Sequence, residues 1–409
     1  MTSVDELYVK YGSPDELGRH FDYILTDIFL SGDSTGMDLV KKLSTKMQKK
    51  TIVCSSANPE KFLQLTREAS LNCRFLHKPL HPVRTVRTLK NMCGTETSEN
   101  TRRPLRRSSS VGGPVVLITG CSSGVGEALA DLLSKKTNYK LVLTARDRSV
   151  AKVRARFPEN DRLMVVPLDV GDPEQIVRTV SHVIARWGRL DILINNAGIC
   201  YRATVEHMDQ LSEIEQLKVN YIGPMMLSRA VIPLMRERGR GKIINVSSVS
   251  GILGMPTMAS YSASKHALEA ASESMWYELK PMGINVSVIR PGFIKSDGYS
   301  HVLLAPKSRL STELDGPYAD FYHFMTPFVS RMMNKSLGTP QSVAEKVFKV
   351  IRTQNPPLWV DATPDALMFS CLRHLLPDQI FNRLINLVFR LQIRWGKSYS
   401  RADPRRLRS

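Results

Sequence analysis

The sequence predicts an α/β protein: a doubly wound parallel sheet with helices on both faces, preceded by a smaller parallel α/β unit. Three observations support this prediction. Short apolar runs alternate with longer segments of helical periodicity through most of the chain. One such run, Pro114–Thr119, passes through a glycine-containing loop directly into a helical segment. A polar, basic stretch at residues 95–113 separates the two series of segments.

The larger series contains seven expected strands. They are Pro114–Thr119, Lys140–Thr144, Leu163–Pro167, Leu190–Ile194, Lys242–Val246, Asn285–Ile289 and Leu358–Val360. Helices are expected at Pro173–Trp187 and Tyr261–Glu273, and another begins with Thr339 as N-cap and Pro340 in its first turn. The predicted domains are a small α/β unit at residues 1–94, a disordered linker at 95–113, the large domain at 114–362 and basic amphipathic helices at 363–409.

Composition narrows the class of protein. The 409 residues suffice for two or three domains, and the formal net charge is +19. Because the clearest arginine clusters lie in the linker and the tail, without an aromatic-basic or zinc-finger pattern, we expect no nucleic-acid partner. The six cysteines form no C-x-x-C pair, so neither a disulfide framework nor a metal site is expected. A polar N-terminus and no apolar run of about 18 residues predict a cytoplasmic protein.

Ser248, Tyr261 and Lys265 carry the strongest chemical signal. Tyr261 and Lys265 are four residues apart in an expected helix, so their side chains share one face. A neighbouring ammonium favours the phenolate and would lower the tyrosine pKa from about 10. Ser248, on the preceding loop, could hydrogen-bond the same substrate oxygen. The trio suits proton transfer to or from a carbinol oxygen, although Tyr and Lys one turn apart are also common on structural helices.

Three glycines, Gly120, Gly124 and Gly126, lie between the first strand of the large domain and its helix. Glycine permits the tight turn and lets backbone N–H groups approach a pyrophosphate at the helix N-terminus. The spacing G-x-x-x-G-x-G differs from the common G-x-G-x-x-G, but the strand–loop–helix context is the one that dinucleotide binding requires.

Six motifs occur in order at a familiar spacing. They are Thr119-Gly-x-x-x-Gly-x-Gly126, Asn195-Asn-Ala-Gly198, Asn220, Ser248, Tyr261-x-x-x-Lys265 and Pro291-Gly292. Together they resemble a short-chain dehydrogenase/reductase with a Rossmann fold over roughly residues 114–360. The opening LITGCSSGVG and the long region after Pro291 are similar to hydroxysteroid and retinol dehydrogenases, and bacterial lipid-type members are also similar.

The resemblance implies a role for each matching position. Tyr261 is the acid/base, Lys265 lowers its pKa and holds the nicotinamide ribose, Ser248 orients the substrate oxygen and Asn220 supports a water relay. It further implies cofactor contacts from Gly120, Ser122, Ser123, Gly124, Val125, Gly126, Arg146, Asp169, Val170, Asn196, Ala197, Gly198, Tyr261, Lys265, Pro291 and Gly292. Family members are often dimers or tetramers, so a homodimer or homotetramer is expected.

The choice between NADP and NAD depends on the end of the second strand. An acid there binds the ribose 2′-OH of NAD and repels a 2′-phosphate. This sequence has Ala145 at that position, followed by Arg146, which could form charge-assisted bonds with a 2′-phosphate, and Ser122 could help. We therefore predict NADP, with NAD as the alternative; Arg146 as a solvated helix-start residue is the other interpretation.

The small unit resembles a response-regulator receiver domain. Its strands end at Asp27, Ser56 and Lys78, the positions that in this family accept, sense and contact a phosphoryl group. The acidic pair that holds magnesium in receivers has no counterpart, because too little chain precedes Asp27 for the first βα unit. The expectation is a truncated flavodoxin-like unit with Asp27 as a candidate phosphoacceptor. A phosphorelay protein, in which this unit regulates or replaces the enzyme, is the alternative function.

The region after the sixth strand predicts a lipophilic substrate. Aromatic and methionine side chains crowd residues 318–333, as in a lid over an apolar pocket for a steroid, retinoid or lipid-like carbonyl, or in an amphipathic helix covering the sheet. The tail alternates apolar residues with arginines and is divided by Pro377 into two helices. Such helices suit peripheral contact with a membrane, and packing on the domain or at a dimer seam is the alternative.

Overall fold

The computed structural model describes residues 24–27, 36–49, 51–55, 73–77, 113–295, 303–311 and 318–393. The chain divides into two compact units, Met1–Pro104 and Leu105–Ser409.

The described part of the first unit is a small parallel α/β arrangement. Its elements are β1 (Ile24–Asp27), α1 (Gly36–Lys42), α2 (Thr45–Gln48), β2 (Thr51–Ser55) and β3 (Arg74–His77). The strands are parallel, in the order β1-β2-β3. Asp27 is the last residue of β1, whereas Ser56 and Lys78 lie outside the described residues.

The second unit is built on a parallel sheet. Its strands are β4 (Val115–Ile118), β5 (Lys140–Ala145), β6 (Leu163–Pro167), β7 (Ile192–Asn195), β8 (Tyr201–Arg202), β9 (Gly241–Val246), β10 (Ile284–Arg290), β11 (Leu303–Leu304) and β12 (Trp359–Asp361). Strands β8 and β11 pair with each other, and the other seven form one sheet in the order β12-β10-β9-β7-β4-β5-β6. The chain therefore winds to one side of β4 and then to the other, which creates a switch point between β4 and β7.

Helices connect these strands. They are α3 (Gly124–Lys136), α4 (Asp147–Arg156), α5 (Pro173–Trp187), α6 (Gln210–Leu217), α7 (Gly223–Glu237), α8 (Ala259–Leu279), α9 (Pro306–Ser311), α10 (Ala319–Lys335), α11 (Pro340–Arg352), α12 (Pro364–Leu375) and α13 (Asp378–Ile393). The fold is the parallel-sheet, Rossmann-like α/β fold that the sequence predicts, with strand ends within two residues of the expected ones.

Local sequence explains where the helices begin and end. Helix α5 begins after Asp172, whose carboxylate accepts bonds from two backbone N–H groups of the first turn, and it ends at the left-handed Gly188. Thr339 caps α11 in a capping box with Ser342, as predicted for this start. Helix α8 runs six residues beyond the predicted Glu273, because Met275 and Leu279 continue its buried face.

The tail helices pack on the domain in the described residues. Phe381 of α13 is 2% exposed and lies in an apolar cluster with Val249, Ile252 and Leu253, which follow Ser248. The break between α12 and α13 contains Pro377, where the sequence predicts it. None of the helices in the described ranges is long and apolar enough to cross a membrane.

Helix α10 occupies most of the aromatic and methionine-rich region. Its residues Tyr322, Met325 and Phe328 are buried, and the last two form a cluster with neighbours on the same helix. The Tyr322 hydroxyl is hydrogen-bonded to Thr204, to His207 Nδ1 at 3.2 Å and to Ser308 at 3.0 Å. This helix is thus an amphipathic element fixed to the domain.

Candidate active site

A cavity of about 710 Å³ opens at the carboxyl edge of the sheet, beside the switch point. Most of the residues singled out in the sequence line it. They are Gly120, Ser122, Ser123, Val125, Arg146, Asp169, Val170, Asn196, Ala197, Gly198, Ser248, Tyr261, Lys265, Pro291 and Gly292. Gly124, Gly126 and Asn220, also singled out, do not line it but support residues that do.

The glycine loop depends on positive backbone angles and close packing. Gly120 and Gly124 have φ of +73° and +61°, in the left-handed region that favours glycine. A Cβ at Gly120 would lie 2.9 Å from the Cα of Ala197, and one at Gly126 would collide with the carbonyl oxygen of Gly120 and the amide of Asn196. Nothing lies within 4 Å of a Cβ built at Gly124. The loop therefore leaves open space at the N-terminus of α3.

Asn196 and Thr119 hold this loop against β7. The Asn196 Nδ2 group donates to the carbonyl oxygens of Thr119 at 2.8 Å and Gly120 at 3.1 Å. The Thr119 hydroxyl oxygen accepts from the backbone N–H groups of Asn196 and Ala197, both at 2.9 Å. Sequence reasoning gave Thr119 no role of its own. Its place directly before the first loop glycine is the signal that could have identified it.

These features fit a dinucleotide. The open space over Gly124 adjoins the first backbone N–H groups of α3, which have no partner within the helix and favour an anion. The cavity then extends from the loop to Tyr261 and Lys265, so that one elongated ligand reaches both. Among the described residues, no group of three His, Cys, Asp or Glu side chains is placed to hold a metal ion.

The residues at the end of β5 line the part of the cavity where an adenosine ribose, with or without a 2′-phosphate, would bind. Ala145 is buried there, and Arg146 is an exposed residue in the cavity wall. Arg148 and Ser149, which the sequence analysis did not single out, also line this part. Lys152 Nζ donates to the Ser122 carbonyl oxygen at 2.8 Å and so ties α4 to the glycine loop. This end of the cavity is polar and basic.

Tyr261, Ser248 and Lys265 meet at the other end. The Ser248 side chain lies beside Tyr261 in the cavity wall and accepts a bond from the Ser250 N–H at 3.1 Å, which fixes its orientation. Lys265 Nζ donates to the Val246 carbonyl oxygen at 3.0 Å and lies 5.8 Å from the centre of the Tyr261 ring. Helix α8 and the loop after β9 thus bring together the three side chains that the sequence predicts.

The pKa of Tyr261 differs from the sequence expectation. Burial raises it well above its usual value, the nearby Cys200 adds to this, and the Ser248 hydroxyl offsets only part of the rise. The expected lowering by Lys265 is therefore not produced by the chain alone, because desolvation of the phenolate dominates. Burial also lowers the pKa of Lys265 to about 8, while Glu269 and Cys200 act to raise it.

Asn220 lies in a π-helical turn, residues 218–222, between α6 and α7. Its amide pairs with Ile199 in both directions, accepting from the Ile199 N–H and donating to its carbonyl oxygen, each at 2.9 Å. Nδ2 also donates to Ser264 of α8 at 3.0 Å. A Cβ at Gly198 would lie 3.2 Å from Asn220 Oδ1 and 3.7 Å from Lys265 Nζ. Asn220 therefore positions the strand-end loop beside Lys265.

Cys200 is a cavity residue that the sequence analysis did not single out. It is half-buried beside Tyr261 and Lys265, and desolvation of its thiolate raises its pKa to about 12. It follows Gly198 by two residues, so its place after the Asn-Asn-Ala-Gly motif could have indicated its position.

Comparison with known proteins agrees with this geometry. Residues 114–303 match the family model described as short chain dehydrogenase. A Drosophila melanogaster protein named dehydrogenase/reductase SDR family protein 7-like is 32% identical over 278 residues, 66% of this chain and 78% of the relative. A 3-ketodihydrosphingosine reductase of Bacteroides thetaiotaomicron is 30% identical over 284 residues, 68% of this chain and 98% of the relative.

Solved structures agree as well. A short-chain dehydrogenase from Streptomyces avermitilis has a TM-score of 0.54 at 29% identity, covering 72% of this chain and all of that one. A Burkholderia phymatum enzyme in complex with NAD gives 0.55 at 25%, covering 64% and 93%. ElxO with NADP bound gives 0.50 at 25%, covering 61% and 97%. The chain belongs to the short-chain dehydrogenase/reductase family and is an NAD(P)-dependent oxidoreductase.

Proposed function

We propose that this enzyme uses NADP to interconvert a lipophilic alcohol and its carbonyl compound. The observation that carries the proposal is the meeting of Ser248, Tyr261 and Lys265 in the same cavity as the glycine loop. A phenol and a hydroxyl that face one point suit a substrate oxygen that gains or loses a proton.

The proposed roles follow from where each side chain lies. The glycine loop, Asn196 and Gly198 would hold the cofactor, which supplies or accepts the hydride when bound. Tyr261 moves a proton to or from the substrate oxygen, and Ser248 hydrogen-bonds that oxygen. The positive charge of Lys265 stabilises the phenolate form of Tyr261. Asn220 is proposed to support a water relay to Lys265, and its two bonds to Ile199 keep it next to that residue.

The preference for NADP rests on the polar, basic end of the cavity. Ala145 leaves the end of β5 without the acid that binds the 2′-OH of NAD. Arg146, with Ser122 and Arg148 nearby in the cavity wall, offers partners for a 2′-phosphate. Of the two cofactor-bound structures named above, one holds NAD and the other NADP, so the residues of this cavity support the preference more than those structures do.

A lipid-like substrate is supported by two features. One relative carries the name 3-ketodihydrosphingosine reductase, which denotes a long-chain lipid ketone as its substrate. In addition, the loop after Ser248 is backed by the apolar cluster around Phe381. We propose steroid, retinoid or long-chain carbonyl compounds as the candidate classes.

The tail is proposed to rest on a membrane surface from the cytoplasmic side. Helices α12 and α13 expose several large apolar side chains while Phe381 anchors them; among these are Leu367, Leu375, Ile380 and Leu387. Arg373 and Arg383 lie on the same helices and could reach anionic headgroups. A homodimer or homotetramer remains a proposal from the family resemblance.

The first unit stays a proposal that rests on sequence. Its three parallel strands suit a truncated receiver, but the family match starts at residue 114 and the comparisons give the receiver resemblance no support. The phosphorelay alternative likewise has no support beyond Asp27 at the end of β1. The proposed boundaries at residues 94, 113 and 362 remain predictions as well.

A direct assay tests the proposed function. NADPH and NADH oxidation by the full-length protein would be followed with ketosteroids, retinal and long-chain fatty aldehydes, and the reverse reaction with the matching alcohols and NADP⁺. We expect turnover of at least one lipophilic carbonyl with a higher kcat/KM for NADPH. Turnover confined to small polar carbonyls, or a clear preference for NADH, would contradict the proposal.

A further inference from the structure

A buried ion pair lies one helical turn beyond the catalytic lysine. Tyr261, Lys265 and Glu269 are spaced by four residues along α8 and therefore share one face. Glu269 and Arg290 are both less than 10% exposed. Arg290 Nε donates to both carboxylate oxygens, at 3.2 and 3.1 Å, and its Nη2 donates to Oε2 at 2.7 Å. The carboxylate is thus fixed by a forked, charge-assisted contact.

This pair connects three of the segments that form the reacting end of the cavity. Arg290 is the last residue of β10 and directly precedes Pro291-Gly292. The loop after Ser248 packs on the carboxylate, since a Cβ at Gly251 would collide with Glu269 Oε1. Arg290 also stacks on Trp359 of β12, with its Cζ 4.0 Å from the ring centre. An ion pair needed only for packing could lie anywhere, whereas this one connects helix α8, the loop after Ser248 and the Pro291-Gly292 segment.

We propose that Glu269 and Arg290 are positioning residues, which hold the Lys265 ammonium and the Ser248 loop in their working arrangement. Arg290 keeps the carboxylate oriented, and the carboxylate stabilises positive charge on Lys265. The proposal rests on the proposed function, since it assigns these residues to the same site.

The charges around Lys265 determine the direction in which its pKa would shift if the Glu269 carboxylate were removed. Groups that can ionise and lie near it are Tyr261 and Glu269 on α8, Cys200 after β7 and, behind Glu269, Arg290. Burial lowers the pKa of Lys265 to about 8, and Glu269 opposes that shift. Lys265 is therefore charged below that pH and loses its charge as the pH rises through about 8. Without the carboxylate, the charge would be lost at a lower pH.

NADPH is the probe, because Lys265 lines the cavity that it would fill. The Kd of the full-length protein is measured by NADPH fluorescence across the neutral and alkaline range. For the wild type we expect weaker binding as the pH rises through about 8. In Glu269→Gln, the midpoint should fall by about one pH unit, the lower end of the effect of a nearby opposite charge. Glu269→Asp keeps the charge and should restore the midpoint most of the way.

Arg290→Lys should shift the midpoint of NADPH binding in the opposite direction. It is also the variant to measure if Glu269→Gln does not fold. A lysine holds only one carboxylate oxygen, so the other becomes available to Lys265 and the midpoint should rise. Asp191→Asn is the matched control, because Asp191 pairs with Arg189 at 3.0 Å in a similarly buried site just before β7, at the opposite edge of the sheet. It should lower thermal stability without moving the midpoint.

The outcomes separate the two proposals. Midpoints that stay at the wild-type value in Glu269→Gln and Arg290→Lys, or that move as far in Asp191→Asn, would overturn the positioning role. A wild type that binds neither NADPH nor NADH would instead overturn the proposed function. Opposite shifts in the two site variants, with an unmoved control, would support the positioning role over a merely structural one.

Discussion

The two ends of the cavity are built in different ways. At the cofactor end, backbone groups make the site: Gly120 and Gly126 permit close packing, Gly124 leaves open space, and Asn196 and Thr119 bond to main-chain atoms. At the substrate end, the Ser248 loop is supported by side chains from distant segments. Phe381 packs beneath it from the tail, and Glu269 and Arg290 hold it from within.

This difference predicts how each end of the cavity responds to substitution. A backbone-made site tolerates few substitutions, because an added Cβ collides with main-chain atoms that cannot move aside. A side-chain wall can change with little cost to the fold, provided that its volume is kept. We therefore expect cofactor chemistry to depend on the first end and substrate choice on the second, and variants at each end test this division.

The largest expected effect is on chemistry, where the two ends meet. Tyr261→Phe removes only the phenolic hydroxyl, so kcat should fall by about 10²–10⁴-fold, the usual contribution of acid–base catalysis. NADPH affinity should be nearly unchanged, because the ring remains. Steady-state kinetics and fluorescence titration measure the two quantities. A variant that keeps more than about a tenth of the wild-type kcat would show that another group is the acid.

At the substrate end, Phe381→Ala should lower the free energy of unfolding by about 3 kcal/mol, as expected for a buried aromatic ring. It should also raise KM for the lipophilic substrate, because the Ser248 loop loses its support, while leaving the Kd of NADPH unchanged. Urea unfolding measures the loss of stability, substrate titration measures KM, and fluorescence titration measures the Kd of NADPH. Equal losses of substrate and cofactor binding would mean that the ends are not independent.

At the cofactor end, Arg146→Asp should reduce the preference for NADPH over NADH by about tenfold, the low end of what a hydrogen bond to a charged group contributes, because Arg146 is exposed. The ratio of kcat/KM for the two cofactors measures it. Arg154→Asp, on the helix that begins directly after Arg146 but outside the cavity wall, is the matched control. An unchanged ratio in Arg146→Asp would remove Arg146 from the 2′-phosphate site.

A smaller effect is expected for the exposed tail surface. Leu375 and Leu387 are 79% and 53% exposed, so changing both to Gln should reduce flotation with anionic liposomes several-fold without unfolding the protein. The same double change at Leu211 and Leu337, which are 80% and 81% exposed elsewhere, is the control. If both double variants float like the wild type, the tail is a packing element and not a membrane contact.

We expect that acetyl phosphate with magnesium will not phosphorylate Asp27. Phosphoryl transfer to Asp27 would need an acidic pair to hold the metal. Within the ranges that the structure describes, no three His, Cys, Asp or Glu side chains are grouped to hold a metal ion. Intact-mass measurement of the wild type and Asp27→Asn checks this prediction. A stable adduct that the variant lacks would revive the phosphorelay alternative.

Sequence alone predicted the glycine loop and the Tyr261–Lys265 helix face, but not the packing behind the Ser248 loop, for a physical reason. The glycine loop and the shared face of Tyr261 and Lys265 are local patterns whose geometry follows from spacing. Phe381 packs on Ile252 only because the chain folds back over the sheet, and no local pattern records that contact. The raised pKa of Tyr261 escaped prediction for the same reason, since burial depends on the whole fold.

Strand β12 has a consequence for how this chain folds. It is three residues long, yet it is the element that covers the outer edge of β10, whose Val286, Val288 and Ile289 are fully buried. Roughly 70 residues separate the end of β10 from β12, which ribosomes synthesise in roughly 4–14 s at about 5–20 residues per second. Throughout that interval, β10 presents an apolar, unpaired edge of the kind that recruits strands from other chains. Fragments that stop before Trp359 should therefore aggregate, and expression yield should depend on chaperones that shield this edge during translation.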